Sequence, residues 1–235
     1  MKCALFIGTL LLVALSVLQA ENPSQDMAMV NALSSSSLSD LTSTLTKIAK
    51  TGDDRYESIL ENFRSGSLFR FKENVYLHLG TYENDDLDEF VQGADVFSGE
   101  PLIVGGLSLG ELKASLIPIE DIEMIDPGRK IRKLIAKSKM ILSLSSNDRD
   151  QRLAAVKKTA FANEAIELLP ELEEIQHNDA DSKIRWTAQE SYHIIAFREG
   201  SPQQREMAID HLGELQSLRS SYMLSSSLKN DTWSD

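Results

Sequence analysis

The chain has 235 residues and a formal net charge of −12, with 42% hydrophobic and 26% charged residues. That length allows one sizeable core, or one core with a smaller annex, and the composition is ordinary for a soluble globular protein. The acidic balance argues against nucleic-acid binding, which needs clustered Lys and Arg, and against docking on anionic lipid headgroups.

Residues 1–20 are a different material. Lys2 gives a short positive start, Ala4 to Leu18 is an almost unbroken apolar run, and Ala20 is a small residue before Glu21. This is the layout of a secretory signal peptide, with Glu21 expected at the mature N-terminus and the periplasm or exterior as destination. An uncleaved anchor is the rival, though the run is short of the ~20 residues of a full span. Cys3 is the only cysteine and falls inside this segment, so the exported protein has no thiol for a disulfide, a nucleophile or a metal site. No later stretch reaches spanning length; the best attempt, Leu102 to Ile119, is broken by Glu111 and Lys113.

Residues 21–37 are small and polar and predict a flexible linker, with Ser34 to Ser37 at its end. Over 38–66 the pattern turns helical. Leu38, Leu41, Leu45, Ile48 and Ala49 share one face, Gly52 stops the run, and Asp53 or Asp54 starts a second helix with Tyr56, Ile59, Leu60 and Phe63. Gly66 ends it, making a helical hairpin.

Residues 67–127 predict a small β-rich insert. The run from Leu68 to Gly80 carries strand-type residues on both sides of Lys72-Glu73-Asn74 and reads as a β-hairpin. An acidic loop is expected over Glu83 to Glu89, and further short strands at Leu102 to Val104 and Leu116 to Ile119.

Residues 128–216 read as five helices. Ile131, Leu134, Ile135, Ile141, Leu142 and Leu144 line the first; Leu153, Ala154, Val156 and Ala160 the second, opened by Asp148 or Asp150. Ala165, Leu168, Leu169, Leu172 and Ile175 line the third, where Pro170 predicts a kink or an irregular first turn. Asp179 or Asp181 opens the fourth, with Ile184, Ala188, Tyr192 and Ile195, and Ser201-Pro202 opens the fifth, with Met207, Ala208, Leu212 and Leu215. Residues 217–235 are expected to form a disordered tail.

Three of these helices open alike. Arg152 precedes Ala155, Arg185 precedes Ala188 and Arg205 precedes Ala208, each by three residues. The small residue lets helices approach closely, and the Arg is placed to reach an acid or carbonyl of the adjacent unit, as in stacked repeats. Together with LLPEL at Leu168 to Leu172, these openings resemble HEAT-like repeats, so the expected fold is mainly α: an α-α superhelix of helical repeats with a small β-rich insert. The whole order over 38–216 is similar to the N-terminal extracytoplasmic region of the urea ABC transporter permease family. That order is TGDDRYESILENFRSG, VFSGEPL, IRKLI, RLAAV and LLPELEEI. In that family the region runs on into permease helices; this chain is expected to lack them, so no channel residue and no urea translocation carries over.

None of the candidate chemistry closes into a site. His78, His177, His193 and His211 fit no zinc spacing. Glu190-x-x-His193 has the spacing of half a di-iron carboxylate site, but no second copy exists, and a helix-surface or satisfied histidine is the better reading. The run from Tyr82 to Gly93 lacks the sixth-position Gly and twelfth-position Glu of an EF-type loop from either Asp85 or Asp86, and reads as a solvated loop. Gly106-Leu-Ser108-Leu-Gly110 has the letters of a nucleophile elbow without the strand, helix, acid and histidine around it, and Val104-Gly-Gly-Leu lacks the Gly-Lys-Ser/Thr of a phosphate loop. Trp186, Tyr192 and Phe197 are expected in the repeat core, while Trp233 in the tail is a candidate partner anchor.

The sequence therefore assigns no catalytic, cofactor-binding or metal residue and expects no cofactor. The leading expectation is an exported, non-enzymatic accessory or scaffold protein that binds a partner of a transport system, a transporter or its solute-binding protein, drawn by charge towards a basic patch. Capture of urea or an amide in a cleft between insert and repeats is the alternative. A hydrolase using Ser108 or the acidic loop comes third.

Overall fold

The computed structural model describes residues 23–103 and 116–229. The expected signal segment 1–20, Val104, the Ser108 motif and Trp233 lie outside the described residues. The protein is mainly helical with a small antiparallel sheet, and divides into two compact units. The first comprises residues 1–44 and 67–125, the second residues 45–66 and 126–235.

In the first unit, α1 (Pro23–Asn31) and a 3-10 turn (Ala32–Ser34) occupy the segment expected to be a flexible linker. Val30 and Leu33 are buried there. The Asn31 amide nitrogen donates to Asn74 Oδ1 at 2.9 Å, and its Oδ1 accepts from the Val75 N–H at 2.8 Å. These long-range bonds and the burial outweigh the local polarity from which flexibility was inferred.

Among the described residues the sheet has five strands, in the spatial order β4 (Leu116–Pro118), β3 (Glu89–Ala94), β2 (Asn74–Glu83), β1 (Leu68–Phe71) and β5 (Ile122–Ile125). β1 (Leu68–Phe71) and β2 (Asn74–Glu83) form the expected hairpin, turned by Lys72 with φ of 56°. β2 runs on to Glu83 and pairs with β3 (Glu89–Ala94), so the acidic run is the end of a second hairpin. Asn84 Oδ1 closes its tip by accepting from the N–H groups of Asp86 and Asp88 at 3.0 and 2.8 Å. β4 (Leu116–Pro118) pairs with β3 and β5 (Ile122–Ile125) with β1, where Arg70 pairs with Glu123. At the predicted strand from Leu102, only an isolated bridge between Ala94 and Pro101 forms among the described residues. Phe69, Val91 and Ile117 make the core of this layer. Gly93 is required beneath it, since a Cβ there would stand 2.6 Å from the Phe69 ring.

The chain passes into the second unit within α2 (Leu38–Thr51). α3 (Arg55–Ser65), α4 (Arg129–Leu144), α5 (Arg149–Thr159), a 3-10 turn (Ala165–Leu168), α6 (Leu169–Asn178), α7 (Ser182–Glu199) and α8 (Pro202–Glu214) follow. Gly52 has φ of 65°, and a Cβ on it would meet the Ser145 carbonyl oxygen at 2.0 Å, so the position demands glycine twice over. Of the alternative start signals, Asp148 caps α5 by accepting from the Gln151 N–H, and Asp181 caps α7 by accepting from Lys183 and Ile184. Ser201 and Gln204 form a capping box on α8. Pro170 sits in the first turn of α6, directly after the 3-10 turn.

α7 packs against α5, α6 and α8. Leu144, Leu153, Val156, Leu169, Leu172, Ile184, Ala188 and Ile195 form one cluster, and Ala160, Ile194, Phe197, Ala208 and Leu212 a second. The chain then forms α9 (Leu218–Lys229) where a disordered tail was expected. Glu190, only 1% exposed, accepts from Ser217 Oγ at 2.7 Å and from Arg219 Nη1 at 2.6 Å. Arg219 Nη2 also donates to the Lys157 carbonyl at 2.8 Å. A buried carboxylate needs such partners, and this requirement holds the start of α9 in place.

Candidate functional site

The recurrent arginines turn back on their own turns. Arg152 Nη1 donates to the Ser146 carbonyl at 2.8 Å, Arg185 Nη1 to the Asp179 carbonyl at 2.7 Å, and Arg205 Nε to the Gly200 carbonyl at 2.9 Å. Each braces the turn before its helix and satisfies carbonyls that would otherwise lack a donor. Arg152 alone also reaches the following turn, where Nε donates to Asp179 Oδ2 at 2.9 Å.

Glu190 and His193 do not converge. Glu190 faces Ser217 and Arg219, whereas the His193 ring stacks on His211 with centroids 4.5 Å apart. Burial and then the neighbouring His211 lower the His193 pKa to about 4, so the ring is neutral at pH 7. His177 Nδ1 lies 2.7 Å from the Glu173 carbonyl and His78 Nε2 3.2 Å from Thr81 Oγ1, each a local contact. No cluster of three or more potential metal ligands occurs among the described residues. Of the three aromatics on α7, Phe197 and Tyr192 join the core clusters, but Trp186 is 44% exposed and does not belong to the core.

Two grooves in the helical unit offer binding space instead. The first, about 370 Å³, is lined from α3 by Glu57 and Arg64, from α4 by Ala136, Lys139, Met140 and Ser143, and beyond them by Ala155, Lys158, Thr159 and Ala162. The i, i+3, i+4, i+7 spacing of the α4 set puts it on one helix face, while Ala155, Lys158 and Thr159 belong to α5 and Ala162 lies just past its end. Ser143 and Thr159 donate their hydroxyls to carbonyls of their own helices, leaving a short, largely apolar floor. Around it stand three cations and one acid, Glu57. Lys139 Nζ pairs with Glu61 at 2.6 Å and holds that carboxyl below the usual carboxylate range, Arg64 shares the same Glu61 at 3.5 Å, and Lys158 has no ion pair among the described residues. A locally basic rim on a chain of charge −12 is a distinct feature of this surface.

The second groove, about 340 Å³, is lined by Lys50, by Ile141 and Leu144 of α4 with Ser145 after it, by Arg152 of α5, and by Glu171, Glu174, Ile175 and Asn178 of α6 with Asp179. Arg152 and Asp179 satisfy one another here. Glu171 does not share in this: its Oε2 is shut off from solvent with no hydrogen-bond partner among the described residues. Leaving a buried acceptor unmatched costs about 1–3 kcal/mol, which a structure tolerates most readily where a ligand supplies the missing donor.

Sequence reasoning named Ala155 as a close-packing residue and Arg152 as one placed to reach an acid or carbonyl of the adjacent unit, and each lines one groove. The grooves unite helices far apart in the chain, and only the regular spacing along α4, α5 and α6 foreshadows them. No protein family, curated protein or solved structure matches this chain.

Proposed function

We propose that this chain is an exported, non-enzymatic accessory or scaffold protein of the bacterial envelope, whose helical unit is a HEAT-like superhelix that binds a protein partner. The resemblance to the extracytoplasmic region of the urea permease family supports a transporter or its solute-binding protein as that partner. One observation carries the reading: the groove bounded by α3, α4 and α5 has a floor that, Met140 apart, is of short side chains, and a rim on which Arg64, Lys139 and Lys158 outnumber Glu57. Short residues allow a partner helix to approach closely, and the cations select one with an acidic strip. The chain's charge of −12 attracts basic surfaces at long range, so a partner carrying both signs is favoured.

The experiment is a capture from envelope extract with the chain as bait, at low and high salt. Lys158→Glu reverses a rim charge without breaking any ion pair of the fold, and Lys183→Glu makes the same charge change outside both grooves. A partner lost with Lys158→Glu, kept with Lys183→Glu and weakened by salt supports the proposal. Export is tested by sequencing the periplasmic protein, whose first residue should be Glu21; an intact Met1 in the membrane pellet would favour an anchor. Turnover of an amide or ester that Ser108→Ala abolishes, with no specific partner captured, would reverse the reading in favour of a hydrolase.

A further inference from the structure

We infer that the groove bounded by α4, α5 and α6 receives a compact organic cation, a primary amine or guanidinium carried on a short apolar stem. This does not depend on the partner reading, which concerns a different groove.

The inference begins with Glu171, which borders the groove while one of its oxygens has no donor. Arg152 does not donate to it: its Nε is engaged by Asp179 and its Nη1 by the carbonyls of Ser146 and Asn147. Glu174 and Asn178 follow Glu171 at intervals of three and four on α6 and line the same wall. With Arg152 and Asp179 cancelling, the remaining charges are those of Glu171, Glu174 and Lys50, one unit negative together. An anion is repelled, and a ligand with acceptors alone leaves Glu171 unmatched. A calcium ion would need six to eight oxygens, and no cluster of three acidic or histidine ligands exists among the described residues.

An N–H-bearing cation meets each demand. The end torsion of a glutamate is soft, so the Glu171 carboxylate can turn both oxygens to a donor entering the groove. Charge-assisted bonds to a guanidinium or ammonium are among the stronger ones available. Ile141 and Ile175 offer apolar surface to the stem. A space of about 340 Å³ is at the small end of ligand sites and equals roughly eleven waters at ~30 Å³ each, which suits a small molecule or one side chain.

The test is calorimetry on the purified chain at neutral pH with agmatine, butylamine, urea and a Gly-Arg-Gly peptide. Agmatine should bind, about tenfold more weakly to Glu171→Gln, more tightly to Lys50→Met, which removes a competing cation, and unchanged to Lys158→Glu in the other groove. Tighter binding of the tripeptide would place the cation on a protein segment, and tighter binding of agmatine on a free molecule; either supports the site. Because Glu171→Gln removes an unmatched carboxylate, it should melt at or above the wild-type temperature. The inference fails if no saturable binding of agmatine or butylamine occurs up to about 10 mM, if Glu171→Gln binds agmatine within about twofold of wild type, or if neutral urea binds as tightly as agmatine. It also fails if Glu171→Gln melts more than about 4 °C lower, which would show that the carboxylate has a structural partner.

Discussion

Removing the Arg219 side chain tests how the C-terminal helix is held. In the folded chain the Glu190 side chain is 1% exposed and Arg219 26% exposed, and the two are joined at 2.6 Å. Arg219→Ala leaves Glu190 buried with Ser217 as its remaining partner. Stripping one member from a fully buried pair costs about 3–5 kcal/mol. Arg219 keeps a quarter of its surface in water and Ser217 still donates, so about 2–3 kcal/mol is expected here. For a domain of 150–250 residues that lowers the melting temperature by roughly 5–10 °C. Glu190→Leu combined with Arg219→Leu should recover most of the loss, because no charge is then left buried. Urea unfolding followed by circular dichroism, with hydrogen exchange on α9, reads both effects. If Arg219→Ala melts within a degree of wild type and exchange over residues 218–229 is unprotected in both, the clasp does not form and the tail is not part of the helical unit.

Leu169→Asp and Ala188→Arg should each cost several kcal/mol by thermal melting, the first by placing an unpaired charge at a site 8% exposed, the second by forcing apart helices at a site with no exposure. A melt within a degree or two of wild type for either would contradict the packing of α6 against α7. Gly52→Ala should cost about 3 kcal/mol or more in chemical denaturation, since φ is 65° and Ser145 blocks the Cβ; a neutral result would mean that the turn is built differently. His193, with a folded pKa of about 4 against an ordinary 6.5, binds its proton more readily when unfolded. Its neutral burial therefore contributes fully above pH 6.5 and is lost as pH falls from 6.5 to 4, by about 1–2 kcal/mol once its partial exposure is discounted. His193→Phe should flatten that limb of the stability profile, and an unchanged slope would refute the assignment.

Local chemistry determined much of the helical unit. The apolar spacing of Leu153, Val156, Leu169, Leu172, Ile184 and Ala188 placed these residues in the core where the structure has them. Asp148, Asp181 and Ser201-Pro202 marked helix starts because capping needs only residues within one turn. The β1–β2 hairpin was visible for the same reason. What depends on distant partners was not. α1 lies in a small, polar segment and α9 in a serine-rich one, and their order rests on the Asn31 bonds to β2 and on the need of buried Glu190 for Ser217 and Arg219, so composition alone predicted flexibility at both. β3 lay hidden in an acidic run because a strand's partner, here β2, lies outside its own sequence. The grooves belong to the same class: Glu171 reads in the sequence as one more acid in LLPELEEI, and only packing makes it a carboxylate with an oxygen no donor reaches. The periodicity of one helix fixes which face it buries, whereas the chemistry of a surface depends on which faces meet.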